Sequence, residues 1–85
     1  MQTLNCYYVI DPLAEKIIGN FVAISDEMAK FIFKKSILEN EKLKSMYSQL
    51  HVYMAKDPII EYETANEVFD LCIMRDFSDV KVDDK

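Results

Sequence analysis

Apolar and polar positions alternate along the first run of the chain. Leu4, Cys6, Tyr8 and Ile10 fall on one face at period two, and Thr3, Asn5, Tyr7 and Val9 fall on the other, which is the spacing of a β-strand. Asp11-Pro12 ends this strand, because proline has no amide hydrogen to give to a ladder and restrains the residue before it. A second β-branched run, residues 17–24, sets Ile18, Val22 and Ile24 on one face and Ile17, Phe21 and Ala23 on the other. The two strands predict a hairpin through residues 12–16, with Gly19 marking a bulge or a close backbone approach.

The pattern then changes period. Ser25 and Asp26 are N-cap candidates, and Asp26 and Glu27 set negative charge where the helix dipole is positive. On a 100° wheel Met28, Ala29, Ile32, Phe33, Ser36 and Leu43 gather on one side while Lys30 and Lys34 point away, so a helix is predicted from Asp26. Leu43, Met46, Tyr47, Leu50, Tyr53 and Met54 repeat at spacings of three and four. They predict a second amphipathic helix or a continuation of the first, stopped at Lys56-Asp57-Pro58.

The last third carries two patterns at once. Thr64-Ala65-Asn66-Glu67 fits a capping box, after which Val68, Phe69, Cys72 and Ile73 would line a helix. The same segment alternates, with Phe69, Leu71, Ile73 and Phe77 opposite Asp70, Cys72, Met74 and Asp76. The alternation favours a strand over residues 68–76, a turn at Ser78-Asp79 and a short strand over 80–82. Residues 59–64 read as an irregular link and 82–85 as a short polar tail. The fold class expected is α+β, a small antiparallel sheet of about four strands packed on one or two helices. Ile32 and Phe33 belong to the expected interface.

Composition narrows this to a single domain over residues 1–85, since a chain of 85 residues has surface enough for one core only. No basic segment followed by an apolar run opens the sequence, and no apolar stretch nears the roughly 20 residues that span a bilayer. A cytoplasmic chain without membrane contact is expected. Cys6 and Cys72 lie in separate apolar runs and read as reduced core thiols without a disulfide. Together with the single histidine, His51, they lack the spacing of a zinc site, so neither metal nor cofactor is expected. His51 reads as a structural histidine at or near the surface.

The net charge of −5 is unevenly spread. From Asp26 to Lys44 five lysines meet four acids, a balance of +1, whereas from Asp57 to Lys85 nine acids meet three basic residues, a balance of −6. Any nucleic-acid contact therefore falls to the lysine side.

Several short motifs carry a family resemblance. They are an opening strand ending in aspartate, Tyr8-Val9-Ile10-Asp11, a second strand ending Phe21-Val22-Ala23, and a capped helix, Asp26-Glu27-Met28-Ala29-Lys30-Phe31. Phe69-Asp70-Leu71-Cys72-Ile73 and Arg75-Asp76-Phe77 close the set. In these the chain resembles the small nonstructural protein of gokushovirus-type Microviridae, tailless phages with single-stranded DNA genomes. It departs from that pattern at Met74-Arg75, where the family usually has a glycine before the closing aromatic. The resemblance implies a nonstructural phage protein in the bacterial host cytoplasm, associated with DNA in genome replication or packaging, and names no phage or host protein partner.

Enzymatic constellations are absent from the sequence: no nucleophile with a nearby histidine on a strained turn, no glycine-rich phosphate cradle, no paired-histidine helix motif. Asp76 with Asp79, and Asp83 with Asp84, read as solvated charges rather than cation ligands. A non-enzymatic binding protein is expected. In the first reading Lys30, Lys34, Lys35, Lys42 and Lys44 track the phosphates of single-stranded DNA while Tyr7 stacks on a base. The alternative is a homodimeric protein-interaction module in which Tyr7, Val9, Ile17, Phe21 and Ala23 form an exposed apolar sheet face. A solvated lysine face with no ligand is the bland counterpart to both.

Overall fold

In the computed structural model, which describes residues 4–57 and 59–82, the first two runs form the expected hairpin. β1 (Asn5–Asp11) pairs antiparallel with β2 (Lys16–Ala23). Asp11 shapes the turn through its carboxylate, which accepts the amides of Leu13 at 3.1 Å and Ala14 at 3.4 Å. Glu15 closes the turn with φ at 54°, in the left-handed region. The ladder pairs Val9 with Gly19 but Ile10 with Ile17, so Ile18 is the extra residue of a bulge beside Gly19. A side chain at Gly19 would meet nothing within 4 Å. The glycine therefore accompanies the bulge and does not admit a close neighbour.

β3 (His51–Ala55) and β4 (Cys72–Arg75) complete one antiparallel sheet of order β2-β1-β3-β4. Both faces of its centre are covered. In β1, Tyr7, Tyr8, Val9 and Ile10 are all buried in succession, which is possible only for a strand with packing on both sides. Tyr7 and Val9 join Ala29, Phe33 and Ile37 of α1 (Asp26–Leu38) in one core. Tyr8 and Ile10 join Ala65 and Val68 of α3 (Ala65–Leu71) in another.

α1 begins where its cap residues place it, with the Ser25 hydroxyl accepting the Met28 amide at 3.2 Å. Its buried stripe is Ala29, Phe33 and Ile37, at steps of four. Ile32 lies beside that stripe, partly buried and packed against the same core, while Met28 and Ser36 are exposed. The helix axis is thus turned slightly from the orientation that the wheel predicts, bringing Ile37 inward in place of Ser36. The Ser36 hydroxyl bonds back to the Ile32 carbonyl at 2.9 Å.

Three segments depart from expectation. The predicted second helix ends early: α2 (Glu41–Met46) passes through a 3₁₀ turn (Tyr47–Gln49) into β3, so Tyr53 and Met54 are strand residues. β3 is an inner strand whose two faces both pack, and its near-continuous apolar run Val52-Tyr53-Met54-Ala55 hides the period of two. The predicted strand over 68–76 divides at Cys72, its first part being α3. There the capping box wins: the Thr64 hydroxyl accepts the Glu67 amide at 3.3 Å and the Glu67 carboxylate accepts the Thr64 amide at 3.2 Å. The alternation that favoured a strand was incidental to a helix whose Val68 is buried and whose Phe69 packs on Tyr53.

The predicted strand over 80–82 does not form. A turn at Ser78-Asp79 follows Phe77, whose carbonyl accepts the Val80 amide at 3.0 Å, and Val82 is buried against the α1-side core without pairing to the sheet. Thr3, Pro58 and the last residues 83–85, including Asp83 and Asp84, lie outside the described residues. Among the described residues no helix is long and apolar enough to cross a membrane.

Candidate functional site

Structure divides the candidate residues into two sets. Tyr7 is 0% exposed, and its ring stacks on Phe21 with centroids 5.3 Å apart and planes at 11°. No face of that ring is open to a base, so the expected stacking role for Tyr7 fails in the folded monomer. Val9 and Ala23 are buried in the same core, and Ile17 and Phe21 are half-buried against the two cores. Of the residues expected to form an open face, Tyr7, Val9, Phe21 and Ala23 are covered by the core that α1 joins, and Ile17 lies on the opposite side of the sheet. Sequence alternation marks a sheet face as apolar but does not tell whether a helix of the same chain covers it.

The lysines separate likewise. Lys30 turns toward the protein: its Nζ pairs with the Asp79 carboxylate at 3.0 Å and sits 5.8 Å from the centre of the Phe77 ring. It anchors the segment after β4 to α1 and does not point away, as the wheel suggested. Lys34 and Lys35 on α1 and Lys42 on α2 are exposed, and Lys44 is half-buried. None of these four takes part in an ion pair among the described residues.

Beside Lys30 lies a polar cluster that the sequence did not disclose. Tyr7 donates its hydroxyl to Asp26 Oδ1 at 2.8 Å, and Arg75 reaches Asp26 Oδ2 with Nε at 2.9 Å and with a terminal nitrogen. Tyr7 comes from β1, Arg75 from β4 and Asp26 from the first turn of α1, so three elements meet at one carboxylate. Burial works against the charge on Asp26, but the hydrogen bonds from Tyr7 and Arg75 outweigh it and hold its pKa below the usual value. Burial, then the bond to Asp26, pushes the Tyr7 phenol above its ordinary value. Each donor and acceptor here serves packing between layers, which is a structural role.

Arg75 also stands at the rim of a cleft of about 380 Å³ whose walls include Phe33, Leu50, Val52 and Phe77, with His51 and Lys81 at its edge. His51 is exposed, in keeping with a surface histidine. Asp76 and Asp79, which the sequence reads as solvated charges, are spent locally. Asp76 accepts the Ser78 amide at 2.9 Å, and the hydrogen bonds from Ser78 hold its carboxyl below the usual range, while Asp79 pairs with Lys30. Among the described residues no group of three or more histidines, cysteines or acids is placed to hold a metal ion.

Cys6 and Cys72 are both free, Cys72 buried and Cys6 half-buried. They face the same side of the sheet with β3 between their strands, a separation of about 9–10 Å that exceeds the reach of a disulfide. Burial raises the Cys72 thiol pKa and keeps it protonated.

The outer side of β2 is open, as is that of β4 at the opposite edge, where Ile73 and Met74 are exposed. β2 is an edge strand, and Val22 and Ile18 are 53% and 38% exposed, with Leu4 at 52% and Ile24 at 43% together beyond the end where β1 starts and β2 finishes. Val22 pairs with Cys6 on the face that carries α3. α3 packs chiefly over β3 and β4, and of β2 it is Ile17 that packs against the core α3 helps to form. The exposed residues are the second face of the 17–24 run, which the sequence pattern groups but does not place at an edge. No known protein family, characterised protein or solved structure matches the chain.

Proposed function

We propose that this chain is a non-enzymatic interaction module that works as a homodimer through the apolar surface of β2. The observation that carries this reading is the uncovered edge strand with Ile18 and Val22 in solvent, next to Leu4 and Ile24. Exposed apolar side chains beside unpaired strand backbone favour association with protein, by apolar burial and by strand pairing together. The interface residues differ from those expected of an open sheet face: Tyr7, Val9 and Ala23 are withdrawn, and Ile18 and Val22 take their place.

A second reading, single-stranded DNA association in phage genome replication or packaging, rests on the family resemblance and on Lys34, Lys35 and Lys42 being exposed. It has lost Tyr7 and Lys30, and the chain's charge of −5 opposes phosphate. Size-exclusion chromatography with light scattering, at low and high salt and with and without a single-stranded oligonucleotide, separates the two. The homodimer reading expects a dimer that survives high salt. A monomer that binds the oligonucleotide only at low salt overturns it in favour of DNA.

A further inference from the structure

We propose that the cleft between α1, the start of β3 and the segment after β4 is a binding site for a small aromatic carboxylate. No residue of β2 lines this cleft, so it is separate from the surface assigned to the homodimer.

The cleft exists because β4 parts from β3. Val52 and Arg75 are the last pair of the β3–β4 ladder, after which the chain leaves the sheet, turns at Ser78-Asp79 and brings Val82 back to the α1-side core. Both sides of the gap are fixed. Phe77 packs edge-on against Phe33 of α1 with centroids 5.7 Å apart, and Lys30 ties Asp79 to the same helix at 3.0 Å. The recess is thus formed before any ligand arrives, as sites for small molecules usually are.

Its floor is apolar, from Phe33, Leu50, Val52 and Phe77, and about 380 Å³ is room for a ligand of one or two rings. The mouth selects the polar end. Arg75 pairs with Val52 in the ladder, so its side chain lies on the cleft's side of the sheet, and Lys81 stands at the rim. Formal charge alone does not decide, because Asp26 offsets Arg75 and Asp76 offsets Lys81. Hydrogen-bonding capacity does.

Both oxygens of Asp26 accept, from Tyr7 and from Arg75, and Asp76 accepts the Ser78 amide, so these carboxylates are engaged. The ammonium of Lys81 and one terminal nitrogen of Arg75 have no partner among the described residues, and what the mouth offers is donors. Donors beside an apolar floor call for a ring that bears acceptor oxygens, and an ionised carboxylate takes charge-assisted bonds from both cations. His51 borders the cleft but alternates with Val52 and pairs with Ile10 of the α3-side core, so its side chain belongs to the other face.

The probe is naphthoate, with naphthalenemethanol as its uncharged counterpart, titrated into the isotope-labelled full chain at neutral pH and followed by amide chemical shifts. Saturable shifts centred on residues 47–52 and 75–81 are expected, with naphthoate about tenfold tighter than the alcohol. Lys81→Ala should weaken naphthoate about fivefold and leave the alcohol unchanged. His51→Ala should change neither. Shifts that map to β2 or spread evenly over the surface overturn the site, as does failure of both ligands to saturate. Equal affinities for naphthoate and the alcohol, or a preference that survives Lys81→Ala in full, overturn the carboxylate assignment.

Discussion

The phenol of Tyr7 donates to Asp26 Oδ1 at 2.8 Å from inside the core, while Arg75 holds the other oxygen of the same carboxylate from the solvent side. The bond ties the first strand to the first turn of α1. Tyr7→Phe removes the donor while leaving the ring on Phe21, and should cost about 1.5–3 kcal/mol, the usual worth of a hydrogen bond to a charged group. Chemical denaturation of the two proteins at neutral pH measures the difference.

Asp26 also sets an acid limit. Its folded pKa lies below its unfolded value near 3.8, so its contribution is present above that value and is lost as pH falls through the folded pKa. Asp26→Asn should be less stable than the wild type at pH 7, and the gap should narrow as pH drops below 4. A gap that stays constant across this range contradicts the assignment. Tyr7 acts at the other end of the scale: its raised pKa gives stability that is full below pH 10 and is lost as pH rises through the folded value.

The two isoleucines of α1 should behave differently. Ile37 is 0% exposed and Ile32 only partly buried. Ile37→Ala should cost about 2–5 kcal/mol by loss of burial and a residual cavity, and Ile32→Ala distinctly less. Equal losses in urea titrations would show that the stripe is misplaced.

Thr64→Ala removes the hydroxyl that caps α3 at the Glu67 amide. A loss of about 1 kcal/mol is expected, with reduced helicity by circular dichroism. Since α3 closes the core around Tyr8, amide exchange in residues 65–71 should quicken first.

Glu15 holds a left-handed backbone that costs a side-chain residue about 1–2 kcal/mol. Glu15→Asn, which tolerates that conformation, should raise the melting temperature. A lower melting temperature would indicate that the Glu15 side chain has a stabilising partner.

How far the sequence discloses this structure depends on the range of the interaction concerned. The β1–β2 hairpin and the start of α1 are legible because Asp11-Pro12, Ser25 and Asp26 act on their immediate neighbours. α3 is written in its Thr64–Glu67 box, yet the incidental alternation of Phe69, Leu71 and Ile73 obscures it. β3 is illegible for a nonlocal reason: its place between β1 and β4 makes both faces apolar, and a strand without alternation resembles a helix. The placing of Tyr7 and Lys30 was hidden on the same ground. Whether Tyr7 faces a base or a helix, and whether Lys30 faces solvent or Asp79, is decided by residues 19 and 49 positions away.

Tyr7 and Tyr8 are neighbours whose side chains leave the backbone in opposite directions. The first bonds to Asp26 beneath α1, and the second accepts the amide of Tyr62, ahead of α3, at 3.2 Å. A single peptide unit therefore fastens two cores that share no buried side chain. Neither helical layer can peel from the sheet without disturbing the strand that holds the other, so the molecule should open as one cooperative unit, with the β1 amides exchanging last.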